Sequence, residues 1–155
     1  MLKEKALVEW LGKVIGVENL TIEDVKDPKY LYQLTQELPE LNSIEFNSVS
    51  SIQPWQRNYI NLKAMYEAIE NYYKTTLRIP FPSGLPSINL IEIAKDTDEE
   101  NSSLISLLVI FFTGCINSDT KDKFISSVMD LDEASQTDIM TLIQEKSLNK
   151  DLAEE

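Results

Sequence analysis

The stretch Leu104-Ile105-Ser106-Leu107-Leu108-Val109-Ile110-Phe111-Phe112-Thr113-Gly114-Cys115-Ile116 decides the fold. Wound into a helix it is apolar on nearly every side, and a helix of that kind has to be surrounded by others. It is well short of the roughly 20 residues needed to cross a bilayer, so it is expected at the centre of a bundle. Cys115 is the single cysteine of the chain, which makes a disulfide within one copy impossible; it reads as a small core residue.

Upstream of the central helix an acidic turn runs from Asp96 to Glu100, and a short helix is expected around Ile88 to Ala94, capped by Ser87 or Asn89. Before it, Pro80, Pro82, Gly84 and Pro86 forbid regular structure and form a crossover. The clearest helix runs from about Pro54 to Lys74, with Trp55, Tyr59, Leu62, Tyr66, Ile69 and Tyr73 recurring at steps of four and three. That spacing describes a packing seam rather than a ligand platform. Residues 39–53 read as an irregular connection. A helix opens at Asp27-Pro28, where Asp caps free amides and Pro suits the first turn; Leu31, Leu34 and Leu38 are its inner stripe, and Pro39 ends it. The first helix carries Ala6, Leu7, Trp10, Leu11 and Val14 on one face and stops at Gly16.

Downstream, Asn117-Ser118-Asp119 offers caps for a helix whose inward candidates are Phe124, Ile125 and Val128. A final helix spans about Asp132 to Ser147, with Ile139, Met140 and Ile143 on one side. The residues after it are polar. No repeat, low-complexity tract or alternating strand pattern occurs, so the expected fold is an all-α bundle: one domain over 1–147 and a polar exit segment at 148–155.

Composition narrows the function. The 155 residues carry 14 basic and 26 acidic side chains and a formal charge of -12. The imbalance is uneven, -2 over residues 1–91 and -10 over 92–155. Affinity for nucleic acid comes mainly from Lys and Arg neutralising phosphates, so nucleic acid is an unfavourable partner, and the acidic microtubule surface and anionic lipid are disfavoured on the same ground. There is no histidine, hence no Ser/Cys-His constellation. Asp130, Asp132, Glu133 and Asp138 cluster in sequence but lack the glycine of a metal loop, and four glycines supply no phosphate cradle. Solvated acids on a helical surface are the reading, with no catalytic residue, metal or cofactor. The charges at Glu9 and Lys13 interrupt the apolar core that a signal peptide would need, and the chain is expected to be soluble and cytoplasmic.

Four motifs carry a family resemblance. Pro54-Trp55-Gln56-Arg57-Asn58-Tyr59-Ile60-Asn61-Leu62-Lys63 resembles the Hook-domain signature of a tryptophan followed by an Asn-Leu-Lys triplet. Leu85-Pro86-Ser87-Ile88-Asn89-Leu90-Ile91 is similar to that family's Leu-Pro-x-x-Asn-Leu-Ile. Gly114-Cys115-Ile116-Asn117-Ser118 resembles its Gly-Cys-Ala-Val-Asn-Cys helix end, contracted by one residue, and Met140-Thr141-Leu142-Ile143-Gln144-Glu145 its Met-Thr-x-Ile-Gln-Glu. The matches fall in family order over roughly 54–146. The departure is Asp27-Pro28-Lys29-Tyr30-Leu31, where the family has Asp-Gly-x-x-(Met/Leu).

The resemblance implies a calponin-homology-like helical bundle with an additional carboxy-terminal helix, followed by a coiled coil that would make the dimer. Hook, Girdin and nuclear mitotic apparatus proteins of this type are dynein adaptors of the cytoskeleton, serving cargo transport or the spindle. Their last two helices bind an amphipathic helix of the dynein light intermediate chain, and the matching positions are Met129, Gln136 and Ile143. Spacing alone lets Gln136, Ile139 or Met140, and Ile143 share one face, which serves either the core or a groove for a partner helix. The alternative function is a microtubule-binding module, as calponin-homology domains often are; a filament binder needs a basic face, and the charge argues against it.

Overall fold

A computed structural model describes residues 3–146; the expected exit at 148–155 lies outside them. In chain order the helices are α1 (Lys3–Ile15), α2 (Ile22–Val25), α3 (Lys29–Thr35), α4 (Pro54–Tyr72), α5 (Leu90–Lys95), α6 (Ser102–Ile116), α7 (Lys121–Met129) and α8 (Glu133–Lys146). No strand occurs among the described residues.

Helix α6 occupies the centre, buried from Ser106 through Ile116. The span Glu99–Ile116 has the mean hydropathy of a membrane helix, but 72% of it is buried inside the bundle, so its apolar surface is already matched by protein. Trp10 of α1 sets its ring edge-on to Phe112 at 4.8 Å and donates its indole N–H to the Phe124 carbonyl at 3.0 Å, tying α1, α6 and α7 at one point. Directly after α4, in the π-helical turn Tyr73–Leu77, the Tyr73 hydroxyl donates to the Ile110 carbonyl at 2.7 Å. Gly114 lets α4 come this close: a Cβ there would lie 3.2 Å from Ile69 Cδ1 and 3.5 Å from the Tyr73 ring.

The two buried serines of α6 stitch the proline-rich crossover to its flank. Ser106 donates to the Pro86 carbonyl at 2.9 Å; Ser103 donates to the Ser87 carbonyl at 3.3 Å and accepts the Asn89 N–H at 2.9 Å. Asn89 in turn caps α5 by accepting the Glu92 N–H at 3.1 Å. Phe81 of the same crossover packs edge-on to Tyr73 at 4.7 Å. The crossover therefore has fixed partners for its backbone despite lacking regular structure.

Several details differ from the sequence reading. Helix α2 was not foreseen: Thr21 and Asp24 form a reciprocal capping box, with the Asp24 N–H to Thr21 Oγ1 at 3.2 Å and the Thr21 N–H to Asp24 Oδ2 at 3.0 Å. Helix α3 ends at Thr35, before Pro39, and Leu38 is buried from the turn that follows. Leu62 and Ile69 of α4, and Tyr73 in the π-helical turn that follows it, are buried as expected, whereas Trp55, Tyr59 and Tyr66 are only half-buried and Met65 and Tyr72 fill the core instead. The Trp55 end of α4 lies over α5, where the Lys95 ammonium sits 4.3 Å from the indole centre. Asn117 and Ser118 close α6 rather than open α7, donating to the carbonyls of Thr113 at 2.9 Å and Cys115 at 2.8 Å.

Two carboxylates start the helices that matter most. Asp98 accepts the N–H groups of Ser103 and Leu104, each at 3.0 Å, at the head of α6. Asp132 accepts the Ser135 N–H at 2.8 Å at the head of α8, and that bond holds its carboxyl below the ordinary value.

Two outcomes are expected. Phe111→Ala, at the centre of α6, should lower unfolding free energy by about 3–5 kcal/mol in urea titrations. Because the folded-state pKa of Asp132 is depressed, its cap stabilises the protein above the ordinary carboxylate range, and this contribution is lost as pH falls through the folded value. The difference in melting temperature between the parent and Asp132→Ala should therefore be constant near neutrality and shrink below about pH 4. A difference that persists undiminished at acid pH would exclude the cap as its source.

Candidate functional site

Helix α7 is short, and its inward pair at a spacing of four is Phe124 and Val128, both buried. With Phe124 fixed inside by its ring contact to Trp10, the adjacent Ile125 turns outward and is 38% exposed, against its expected place in the core. Met129 lies one turn further along that outer face, at the end of the helix, and is 61% exposed.

The chain then reverses through Asp130-Leu131-Asp132, with Leu131 buried as the pin of the turn. Helix α8 runs back along α1, and Ser135 in its first turn donates to Glu9 Oε2 at 2.8 Å. Ser135, Ile139, Leu142 and Ile143 form the stripe that faces inward. Ile139 is fully buried and Ile143 is 9% exposed, at the border of the core. Met140, read from sequence as lying with them, is instead 45% exposed, because it sits about 100° round the helix from Ile139, outside that stripe. Gln136, one turn before Met140, donates through Nε2 to the carbonyls of Met129 at 2.9 Å and Leu131 at 2.7 Å.

Of the five positions singled out in the sequence, Gln136 is bonded to the Met129 carbonyl where α7 and α8 join and Met140 follows it one turn along α8, both methionines being exposed, while Ile139 and Ile143 belong to the inward stripe. Ile125 is exposed on α7 as well, and the sequence did carry a signal for it. Phe124 and Ile125 are neighbours on one helix, so only one of them can point straight at the core. The exposed apolar side chains of α7 and α8 here are Ile125, Met129 and Met140, and the Gln136 amide is bonded within the domain. Of the four clustered acids, Asp132 serves as a cap, and among the described residues no group of three or more His, Cys, Asp or Glu side chains is placed to hold a metal ion.

Three comparisons bear on this arrangement. The family model described as the HOOK domain matches residues 28–145. "Protein hook" of Anopheles gambiae is 27% identical over 149 residues, covering 91% of this chain, and "Protein Hook homolog" of Branchiostoma floridae is 28% identical over 148 residues, again 91% of the chain. The chain spans about a fifth of the length of these relatives, 21% and 20%. The solution structure of the conserved domain of the HOOK1 protein from mouse superposes with a TM-score of 0.74 at 22% identity, covering 95% of this chain and 91% of that one. That likeness shows the fold: all-α and calponin-homology-like, with an additional carboxy-terminal helix. With a family model matched over most of its length and homologues aligned across nine-tenths of it, the chain belongs to the HOOK domain family.

Proposed function

We propose that this chain is a non-enzymatic dynein-adaptor domain whose α7–α8 edge receives an amphipathic helix of the dynein light intermediate chain. In that role it would couple the motor to a cargo or to a spindle or cortical anchor in the cytoplasm, with dimerisation through a coiled coil outside these residues. The observation that carries the reading is the exposure of Met129 and Met140 on either side of Gln136, with Ile125 extending the apolar row along α7. Large apolar side chains gathered at one edge and flanked by polar residues suit a partner helix that presents anchors three and four residues apart. Methionine is suited to such a surface because its unbranched thioether adapts to the partner's shape. Ile143 forms the border of the docking surface, and Ile139 supports it from below without reaching the partner.

The microtubule-binding alternative has a weaker basis, since the whole chain carries -12 and the filament surface is acidic.

The test separates docking residues from core residues on the same helix. Titration of the chain with the light-intermediate-chain helix should give saturable binding, and Met129→Ala or Met140→Ala should each weaken it roughly tenfold, an anchor truncation typically costing about 2 kcal/mol. Their melting temperatures should stay close to the parent's. Ile139→Ala should instead lower stability by about 2–5 kcal/mol. A parent that does not bind the helix, or methionine variants that bind as tightly as the parent, would overturn the docking assignment. Cosedimentation with microtubules near physiological salt should be weak; saturable pelleting would favour the filament alternative.

A further inference from the structure

The end of α7 leaves backbone carbonyls without intrahelical partners, as every helix end does. Met129 is the last residue of α7 and Leu131 sits in the reversal that follows, so both carbonyls need a donor from elsewhere. Gln136 supplies it for both, at 2.9 and 2.7 Å from a single nitrogen. A side-chain amide has two N–H groups; both are used here, and only the oxygen Oε1 is left to meet anything else. The opposite amide orientation would set Oε1 against two carbonyl oxygens, so chemistry fixes the side chain one way round.

On one side the turn faces open space. Asp130, Leu131 and Asp132 line one wall of a cleft of about 840 Å³ that opens between the turn and the α1–α2 connection, so solvent, not packed side chains, lies on that side. Leu131 pins the turn from within, and the N–H groups of Asp130 and Leu131 bond back to Ser126 and Val128, each at 3.1 Å. These contacts fix the turn to α7. Asp132 is joined to α8 by its cap on the Ser135 N–H and by the Gln136 backbone N–H to its carbonyl at 2.9 Å, whereas the Met129 and Leu131 carbonyls are tied to α8 by the Gln136 side-chain amide, which bears on where Met129 stands relative to Met140.

We infer that Gln136 is a positioning residue: by cross-linking the Met129 and Leu131 carbonyls to α8 it holds the α7–α8 turn, and with it the Met129 side of the docking edge, in place before a partner arrives. The inference rests on the proposed docking role for its consequence in affinity, while the latch itself is a property of the free domain. It reverses the simplest expectation for a polar residue in a docking surface, which is that its amide faces the partner.

Three substitutions distinguish the two roles. Gln136→Glu keeps the shape and an acceptor but loses both donors; Gln136→Lys loses the acceptor but keeps donors that reach the same carbonyls; Gln136→Ala loses everything. Two readouts are taken on the 155-residue chain: backbone amide exchange at residues 130–132 without partner, and affinity for the light-intermediate-chain helix. For the latch, Ala and Glu should both speed exchange in the turn and weaken binding roughly tenfold, while Lys restores both to within about threefold of the parent. If Glu binds as tightly as the parent, or if Ala weakens binding with exchange in the turn unchanged, Gln136 contacts the partner directly and the inference is wrong. If the parent binds no helix but exchange follows the expected order, the latch stands and the docking proposal falls.

Discussion

A helix without a polar face has to be covered on every side, and in this chain that requirement governs where everything else goes. Phe111, Phe112, Leu107, Leu108 and Ile110 point in different directions from α6, and each is buried. Each side chain of this size contributes about 1.5–3 kcal/mol when fully removed from water. No single neighbour is wide enough to receive them all. Helices α1, α4, α5 and α7 therefore converge on α6, and the long connections exist to bring chain segments to its separate sides.

Covering the apolar surface solves only half the problem, because the elements brought against α6 carry polar backbone that must also be satisfied. The solution is local and uses few side chains. Ser103 and Ser106, the polar exceptions in an apolar helix, bind the crossover that has no hydrogen bonds of its own. Asn61, buried within α4, does the same for the irregular segment before it, accepting the Asn47 N–H at 2.7 Å and donating to the Asn47 carbonyl at 3.0 Å. The asparagine of the Trp…Asn-Leu-Lys motif is thus explained by a structural role: it closes a loop that sequence patterning alone describes as irregular.

The parts of this fold that could be read from the sequence are those in which one stretch of chain holds the whole signal. The all-round apolar run, the Asp27-Pro28 start and the four proline and glycine positions of the crossover are all of this kind. Where the reading failed, the answer lay in competition between neighbours. Helix α2 is too short to show periodicity, and its capping box uses Asp24 where the usual pattern has Glu or Gln. Asn117 and Ser118 carry the composition of caps, but a cap's direction depends on which helix has free groups in reach. On α7 and α8 a period of 3.6 leaves two adjacent residues competing for each inward place. Phe124 displaces Ile125 because Trp10 receives it, and Ile139 displaces Met140 because α8 lies along α1. Ile125 and Met140 of the proposed docking edge are the residues that lost these contests, so their place on the surface could be narrowed from sequence but not decided.

This origin also accounts for how one helix carries two duties. Ile139 and Met140 are consecutive, yet one is fully buried and the other 45% exposed. The turn of about 100° between successive helical residues is enough to separate a core position from a surface one. The inward stripe of α8 is committed to α1 through Ser135, Ile139 and Leu142, so the helix is held in place whether or not anything sits on its outer edge. Met129 and Met140 are not needed for the core and remain exposed. Gln136 connects the two duties: its amide is consumed inside the domain, and what it fixes there is the geometry of the surface outside. In the proposed docking the two methionines that would meet the partner lie outside the core, so binding at them requires no rearrangement of the bundle.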